Sequence, residues 1–271
     1  MRVQPRGERA FATANGLRFH YLSYGVGELE ILILPGITSP AITWEFVAEE
    51  LARDYRVLTM DLRGRGLSDR GASGTYRETD YALDVADFME AVGLVRPVVL
   101  GRSMGARIAT AFGALYPDKH GPLLMVDPPL CGPGRDPYPT PIEPYVQQIR
   151  QANAGATADD IRPFFPTWTD EQLEIRADWL ATCDETAVVE SYHNFHAEDF
   201  FEHWPRCRAP VGLLWGGDGP VITPSSAAEV ARANPEATVT AIPNAGHMIP
   251  WDNLPSFLAE TRAFLADAAA G

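Results

Sequence analysis

Cysteine is scarce in this chain. Three occur among 271 residues, Cys131, Cys183 and Cys207, an odd number with no C-x-x-C spacing. Such a set cannot pair completely, which argues against a disulfide framework and suits a reducing compartment. Positive charge is also short: 22 Lys and Arg against 36 Asp and Glu give a formal net charge of −14. The resulting field repels polyphosphate, so nucleic acid and anionic membrane surfaces are not expected partners. No apolar run approaches membrane-spanning length, and Met1 to Ala10 carries three arginines without an apolar stretch. Neither a transmembrane span nor a secretory signal is therefore expected, and the expected location is cytoplasmic. Internal repeats and low-complexity tracts are missing too.

What the chain does have is enough apolar material, 46% of its residues, for one substantial core. Phe11 to Tyr24 reads as two extended segments about Asn15-Gly16, a dipeptide that supplies positive φ to a tight hairpin turn. Short apolar runs bounded by Gly or Pro follow: Ile31 to Leu34, Val57 to Met60, Val98 to Leu100, Leu123 to Val126, Val211 to Trp215 and Val239 to Ile242. Runs of this kind suit strands covered on both faces. Helical spacing lies between them, as in Tyr81, Val85, Phe88, Met89 and Val92, and again in Leu254, Phe257, Leu258, Thr261, Phe264 and Leu265. The alternation predicts an α/β fold with a mostly parallel sheet flanked by helices. It breaks at residues 128–208, which offer no strong strand but helix-like segments near 142–152, 170–181 and 185–196. We read 1–127 and 209–271 as a core domain and 128–208 as a helical cap, inserted before the last two strands and lying over the strand ends.

The chemical signal is Gly101-Arg102-Ser103-Met104-Gly105, between the apolar run ending at Leu100 and a helical pattern running through Ile108 and Phe112. G-x-S-x-G alone is weak in a chain with 23 glycines. Between a strand and a helix it describes a sharp turn that presents a serine, with small neighbours where backbone must pass. Serine needs a base. Of six histidines, His247 is placed best, in Asn244-Ala245-Gly246-His247-Met248 after the last predicted strand. His20, His120 and His203 read as core or surface residues. His193 and His196 stand three apart near Glu198 and Asp199, but without a third spaced ligand they do not make a metal site. No metal and no organic cofactor is expected.

With these segments the chain resembles the α/β-hydrolase family from about Phe11 to Ala266. Asp61-Leu62-Arg63-Gly64-Arg65-Gly66-Leu67-Ser68 is similar to that family's D-x-R-G-x-G-x-S segment. Pro35-Gly36-Ile37 stands where the family has His-Gly-x. The replacement leaves intact what an oxyanion requires, the backbone N–H of Ile37 together with that of Met104. The resemblance implies Ser103 as nucleophile and His247 as general base. The acid departs from the common pattern: Gly216-Gly217-Asp218-Gly219 puts glycine where a G-x-x-D turn has its aspartate. Asp127, ending the strand before the cap, occupies a position that some members use, and we assign it the role, with Asp218 as the alternative.

Three further stretches, Pro35 to Ala41, Asp127 to Arg135 and Ala245 to Trp251, resemble the deformylase group of that family found in bacterial nicotinate breakdown. This implies hydrolysis of a C–N amide bond in a small carboxylate-bearing substrate. A carboxylesterase, or another amidase, is the alternative within the fold. A cofactor-free oxygenase or lyase using the histidine base, or a noncatalytic binding protein, would lie outside that chemistry. A carboxylate entering an acidic protein needs a local cation. Arg102 is one candidate, and Arg135, Arg150, Arg162 and Arg176 lie in or beside the cap. Trp168, Trp179, Tyr192, Phe195, His196 and Trp251 are candidate pocket residues. Composition does not define the oligomeric state.

Overall fold

The computed structural model describes residues 1–208 and 210–270. Strands β1 (Glu8–Ala14) and β2 (Leu17–Tyr24) form an antiparallel hairpin. Its turn places Asn15 at φ 46° and Gly16 at φ 71°, the left-handed geometry a two-residue hairpin demands. Each later apolar run is a strand: β3 (Glu30–Leu34), β4 (Arg56–Met60), β5 (Val98–Arg102), β6 (Leu123–Val126), β7 (Val211–Gly216) and β8 (Thr238–Ile242). They join in the order β1-β2-β4-β3-β5-β6-β7-β8. β2 runs antiparallel to both its neighbours, and the remaining pairs are parallel.

Side-chain alternation explains why the sequence reads as continuous apolar runs. Leu32, Leu34, Val99, Leu123, Met125 and Leu213 enter one buried cluster, while Ile31, Ile33, Leu100, Leu124, Val126 and Leu214 enter the other. Both faces are covered. Helices α2 (Glu78–Val92) and α3 (Met104–Leu115) cover the first, through Tyr81, Val85, Phe88, Ile108 and Phe112. On the second lie α1 (Glu45–Leu51) and α11 (Leu254–Ala270), through Val47, Leu51, Phe257 and Leu265.

Because the chain leaves β3 for β4 on one side and returns to β5 on the other, the loops after β3 and β5 diverge. A crevice opens at the strand C-termini, where such sheets bind ligands.

Between β6 and β7 run α4 (Glu143–Asn153), α5 (Ala158–Ile161), α6 (Asp170–Trp179), α7 (Glu185–Ala197) and α8 (Phe200–His203). Caps mark their starts. Thr169 accepts a hydrogen bond from the Gln172 amide at α6, and Asp184 accepts one from the Ala187 amide at α7. Both ends of this stretch are pinned by one fully buried side chain of α3. Arg107 donates to Pro129 O at 2.8 Å, Cys131 O at 2.9 Å and Glu198 O at 2.7 Å, and it pairs with the Glu78 carboxylate. Helices α9 (Pro224–Ala233) and α10 (Ile249–Asp252) complete the fold. Ala209, where we begin the second part of the core, and Gly271, where that part ends, lie outside the described residues. Among the described residues no helix is long and apolar enough to cross a membrane.

Candidate active site

β5 ends at Arg102 and α3 begins at Met104, so the chain reverses on Ser103 alone, at φ 55° and ψ −118°. A non-glycine residue held there costs about 1–3 kcal/mol, which the surrounding packing must offset. The flanking glycines show how tightly the turn is confined. A Cβ on Gly101 would lie 2.2 Å from Gly105 O, and one on Gly105 would lie 2.0 Å from Leu34 O. Backbone occupies both places, so neither position accepts a side chain without moving the serine or β3.

Ser103 Oγ donates to His247 Nε2 at 3.1 Å, joining residues 144 positions apart. On the other side of the ring, His247 Nδ1 donates to Asp127 Oδ2 at 2.6 Å. Asp127 itself is buried at φ 48°, just past β6. Its second oxygen accepts from the Gly216 amide at 3.2 Å, which fixes the carboxylate's plane. This arrangement places the proton of a neutral imidazole on Nδ1 and leaves Nε2 basic toward Ser103. Asp218 is not brought to this point. Its amide bonds Ala245 O and its side chain is exposed.

The loop Pro35-Gly36-Ile37 lies against Ser103, and a Cβ on Gly36 would stand 3.6 Å from Ser103 Cβ. Among the described residues the amides of Ile37 and Met104 have no backbone acceptor, and Met104 opens α3, where helix-end N–H groups are free. The loop is braced from behind. Arg65 Nε donates to Ile37 O at 3.0 Å and its Nη2 to Ser191 Oγ at 3.1 Å, tying the loop to α7. Asp61 accepts from the Ala41 amide at 2.6 Å, the Leu67 amide at 2.9 Å and His20 Nδ1 at 2.6 Å.

Above Ser103 lies a cavity of about 340 Å³ whose lining includes Ile37, Thr38, Ser103, Tyr138, Gln148 and Arg176, closed on one side by Trp168, Met248 and Trp251. Arg102 also lines it. Its Nη2 donates to His247 O at 2.8 Å, and its guanidinium lies 5.6 Å from the Trp251 ring centre. It therefore holds the His247 loop as well as facing the cavity. Burial pushes the His247 pKa below the ordinary imidazole value, and the Arg102 charge pushes it further the same way, with Asp127 acting in opposition.

Four expected pocket residues lie elsewhere. Trp179 is buried in the cluster beneath α6, and its Nε1 donates to Val3 O at 3.0 Å. Tyr192 and Phe195, on the inner side of α7, pack edge-on against Tyr138 instead of reaching the cavity. His196 accepts the Tyr138 amide at 3.2 Å and donates from Nδ1 to Tyr192 O at 3.2 Å. These three support Tyr138, a residue that spacing did not single out. The Tyr138 hydroxyl donates to His247 Nε2 at 3.1 Å, sharing that nitrogen with Ser103. A Pro-flanked loop tyrosine carries no periodic signal that would reveal it. Of the cap arginines, Arg135, Arg150 and Arg162 pair with Glu229, Glu185 and Asp170, whereas Arg176 is buried at the cavity wall.

Ser103 on a sharp strand-to-helix turn, hydrogen-bonded in series to His247 and Asp127 at the edge of a mostly parallel sheet, is an arrangement suited to a hydrolase scaffold, and a model of the alpha/beta hydrolase family matches residues 31–261. The chain belongs to the α/β-hydrolase family. It is 46% identical over 253 residues to N-formylmaleamate deformylase of Pseudomonas putida, covering 93% of this chain and 94% of that one. A crystal structure of N-formylmaleamic acid deformylase from Pseudomonas putida S16 superposes with a TM-score of 0.89 at 41% identity, over 93% of this chain and 99% of that one. More distantly, 2-(acetamidomethylene)succinate hydrolase of Mesorhizobium japonicum is 25% identical over 83% of each chain.

Proposed function

We propose that this chain hydrolyses the C–N bond of N-formylmaleamate, giving maleamate and formate through a formyl-serine intermediate. The observation that carries the reading is the Ser103–His247–Asp127 hydrogen-bond chain, opening on a cavity lined by two arginines, in a chain 46% identical to a deformylase of that substrate. Ser103 Oγ attacks the formyl carbon as its proton passes to His247 Nε2. The amides of Ile37 and Met104 hold the oxyanion. When the C–N bond breaks, His247 returns the proton to the departing nitrogen and maleamate leaves. Water then gives a proton to His247 and attacks the formyl-serine. Collapse of that second tetrahedral intermediate releases formate, and the serine oxygen recovers its proton. The departing nitrogen is a good leaving group because its lone pair is shared with a second carbonyl.

In this reading residues 128–208 act as a cap over a core of 1–127 and 209–271. The partner is a small carboxylate-bearing amide, and the chain's own residues supply every group the steps require. Purified protein incubated with N-formylmaleamate should release formate, and Ser103→Ala should lower the rate by about 10⁴-fold or more. Strong turnover of short acyl esters without formate release would make the chain a carboxylesterase instead. Substantial activity in the alanine variant would point to a histidine-only oxygenase or lyase.

A further inference from the structure

The cavity has an unusual charge balance for so acidic a chain. None of its lining residues is Asp or Glu, and two, Arg102 and Arg176, are cationic. Two buried arginines elsewhere have an acid beside them: Arg63 pairs with Asp84, and Arg107 with Glu78. Arg65 lacks an acid, but it stays outside the cavity and spends its nitrogens on Ile37, Arg63, Tyr81 and Ser191. Arg102 faces the cavity with Nη2 committed to the base loop.

Arg176 is different. It is 7% exposed, and all its partners are neutral oxygens. Nη1 donates to Thr38 O at 2.6 Å and Thr38 Oγ1 at 3.1 Å, and Nη2 to Thr38 Oγ1 at 3.2 Å and Gln148 Oε1 at 3.1 Å. Its buried Nε has no acceptor among the described residues. These bonds orient the planar fork without neutralising it. A buried charge left uncompensated is strongly unfavourable unless something of opposite sign completes the site. Burial accordingly brings its pKa down to about 10.

We infer that Arg176 selects the substrate by its acid group: the guanidinium, held between Thr38 of the oxyanion loop and Gln148 of α4, binds the carboxylate of the molecule whose acyl carbon lies at Ser103. The inference rests on the acyl-transfer reading of this cavity and adds the residue that sets its specificity. A carboxylate entering the cavity exchanges neutral acceptors of the Nη nitrogens, Thr38 Oγ1 and Gln148 Oε1, for its own charged oxygens, whose geometry a guanidinium fork matches. The adjoining wall fits the rest of a flat, conjugated acid, since Phe165 stacks on Trp168 at 4.2 Å and Trp168 on Trp251 at 5.3 Å. Arg176 belongs to α6 and Thr38 to the loop after β3, so a bound carboxylate also links cap to core.

The test compares N-formylmaleamate with its methyl ester, which keeps the formyl amide and removes the charge. Wild-type protein should favour the acid by at least about 100-fold in kcat/KM. Arg176→Gln removes the brace on Thr38 for both substrates but should lose about 100-fold more on the acid than on the ester, the extra loss falling mostly in KM, with Arg176→Lys intermediate. Equal losses on both substrates would make Arg176 merely structural and overturn the inference, as would equal wild-type turnover of acid and ester. Should the glutamine variant fail to fold by circular dichroism, the wild-type ratio and the lysine variant decide. If neither formyl substrate releases formate, the deformylase reading falls separately. The same charge preference is then measured on the 4-nitrophenyl half-ester of succinate against its methyl diester, where a ratio near one refutes the carboxylate subsite.

Discussion

Replacing Asp127 by Asn tests the relay most sharply, because the change keeps shape and alters one proton. Asp127 sits at φ 48°, a left-handed conformation that Asn tolerates about as well as Asp. Asn can still accept from the Gly216 amide, now 3.2 Å from Oδ1, which leaves its NH₂ aimed at His247 Nδ1, where Oδ2 now stands at 2.6 Å. Two donors cannot share that contact. The imidazole must give up the Nδ1 proton and carry it on Nε2, the nitrogen that Ser103 needs unprotonated. The analogous exchange in serine proteases, the worked case behind this rule, costs about 10⁴ in turnover, or about 5.4 kcal/mol at 1.36 kcal/mol per decade. Asp127→Asn should therefore fold as wild type, lose about 10⁴-fold in kcat, and show the reversed tautomer in the ¹⁵N spectrum of His247. Asp218→Asn, at an exposed side chain, should stay within about twofold of wild type, as surface changes do. Retention of a tenth of the activity in Asp127→Asn, or a severe loss in Asp218→Asn, would refute the assignment.

Gly105→Ala would drive a Cβ to within 2.0 Å of Leu34 O; at about 3 kcal/mol of overpacking the Tm, followed by calorimetry, should fall by about 6–12 °C, and activity should fall with it as the elbow moves. Since kcat/KM requires neutral His247 and both burial and Arg102 lower its pKa, the acid limb of the pH profile should lie below the ordinary 6.5. Arg102→Met removes the opposing cation and should move that limb upward, Arg102→Lys should leave it low, and an unmoved limb in the methionine variant would contradict the electrostatics. Burial, reinforced by Glu78, pushes the Glu198 pKa up to about 7. Its folded pKa therefore lies above the unfolded value, and its contribution to stability is present below about pH 4.3 and fades as pH rises toward 7. Glu198→Gln should accordingly gain thermal stability over wild type between pH 5 and 8, and a difference that stays flat with pH in denaturation scans would sink this reading.

The sheet and the helical stretch between β6 and β7, which we propose to be a cap, differ in how much of their role their own sequence carries. In the core, function follows the sheet. A residue just past a parallel strand's C-terminus is delivered to the crevice whatever else surrounds it, so the short apolar runs put Ser103, Asp127 and His247 at one sheet edge, while the G-x-S-x-G turn and the family resemblance are what single them out. The cap obeys no such rule. The apolar residues of α6 form no single stripe: Ile175 and Trp179 enter one buried cluster and Leu173 and Ala177 another, so spacing does not tell which side the core or the cavity meets. Trp179 and Arg176 lie on the same helix, and one packs under it while the other faces the cavity. What decides Arg176 is a contact with Thr38, 138 residues earlier, and what decides Tyr138 is a contact with His247, 109 residues later. Composition makes a cap arginine look like a solvated surface group, and only docking reverses that.

The displaced acid shows the same dependence at closer range. β6 is the neighbour of β5, while β7 stands one strand further away and His247 arrives from beyond β8. For a carboxylate on β6 to reach Nδ1, the histidine loop must pass low over the end of β7. Gly216 permits this: a Cβ there would lie 2.1 Å from Gly246 O, so any larger residue would lift the loop away from Asp127. Gly219 faces the same loop, with a Cβ predicted 3.2 Å from the His247 amide nitrogen. The glycines of Gly216-Gly217-Asp218-Gly219, which in the sequence look like a degraded acid turn, thus serve the relay through the space they leave empty. A pattern that asks which residue type is present can register the missing aspartate; the reason for it lies in the close approach of two loops that meet over β7.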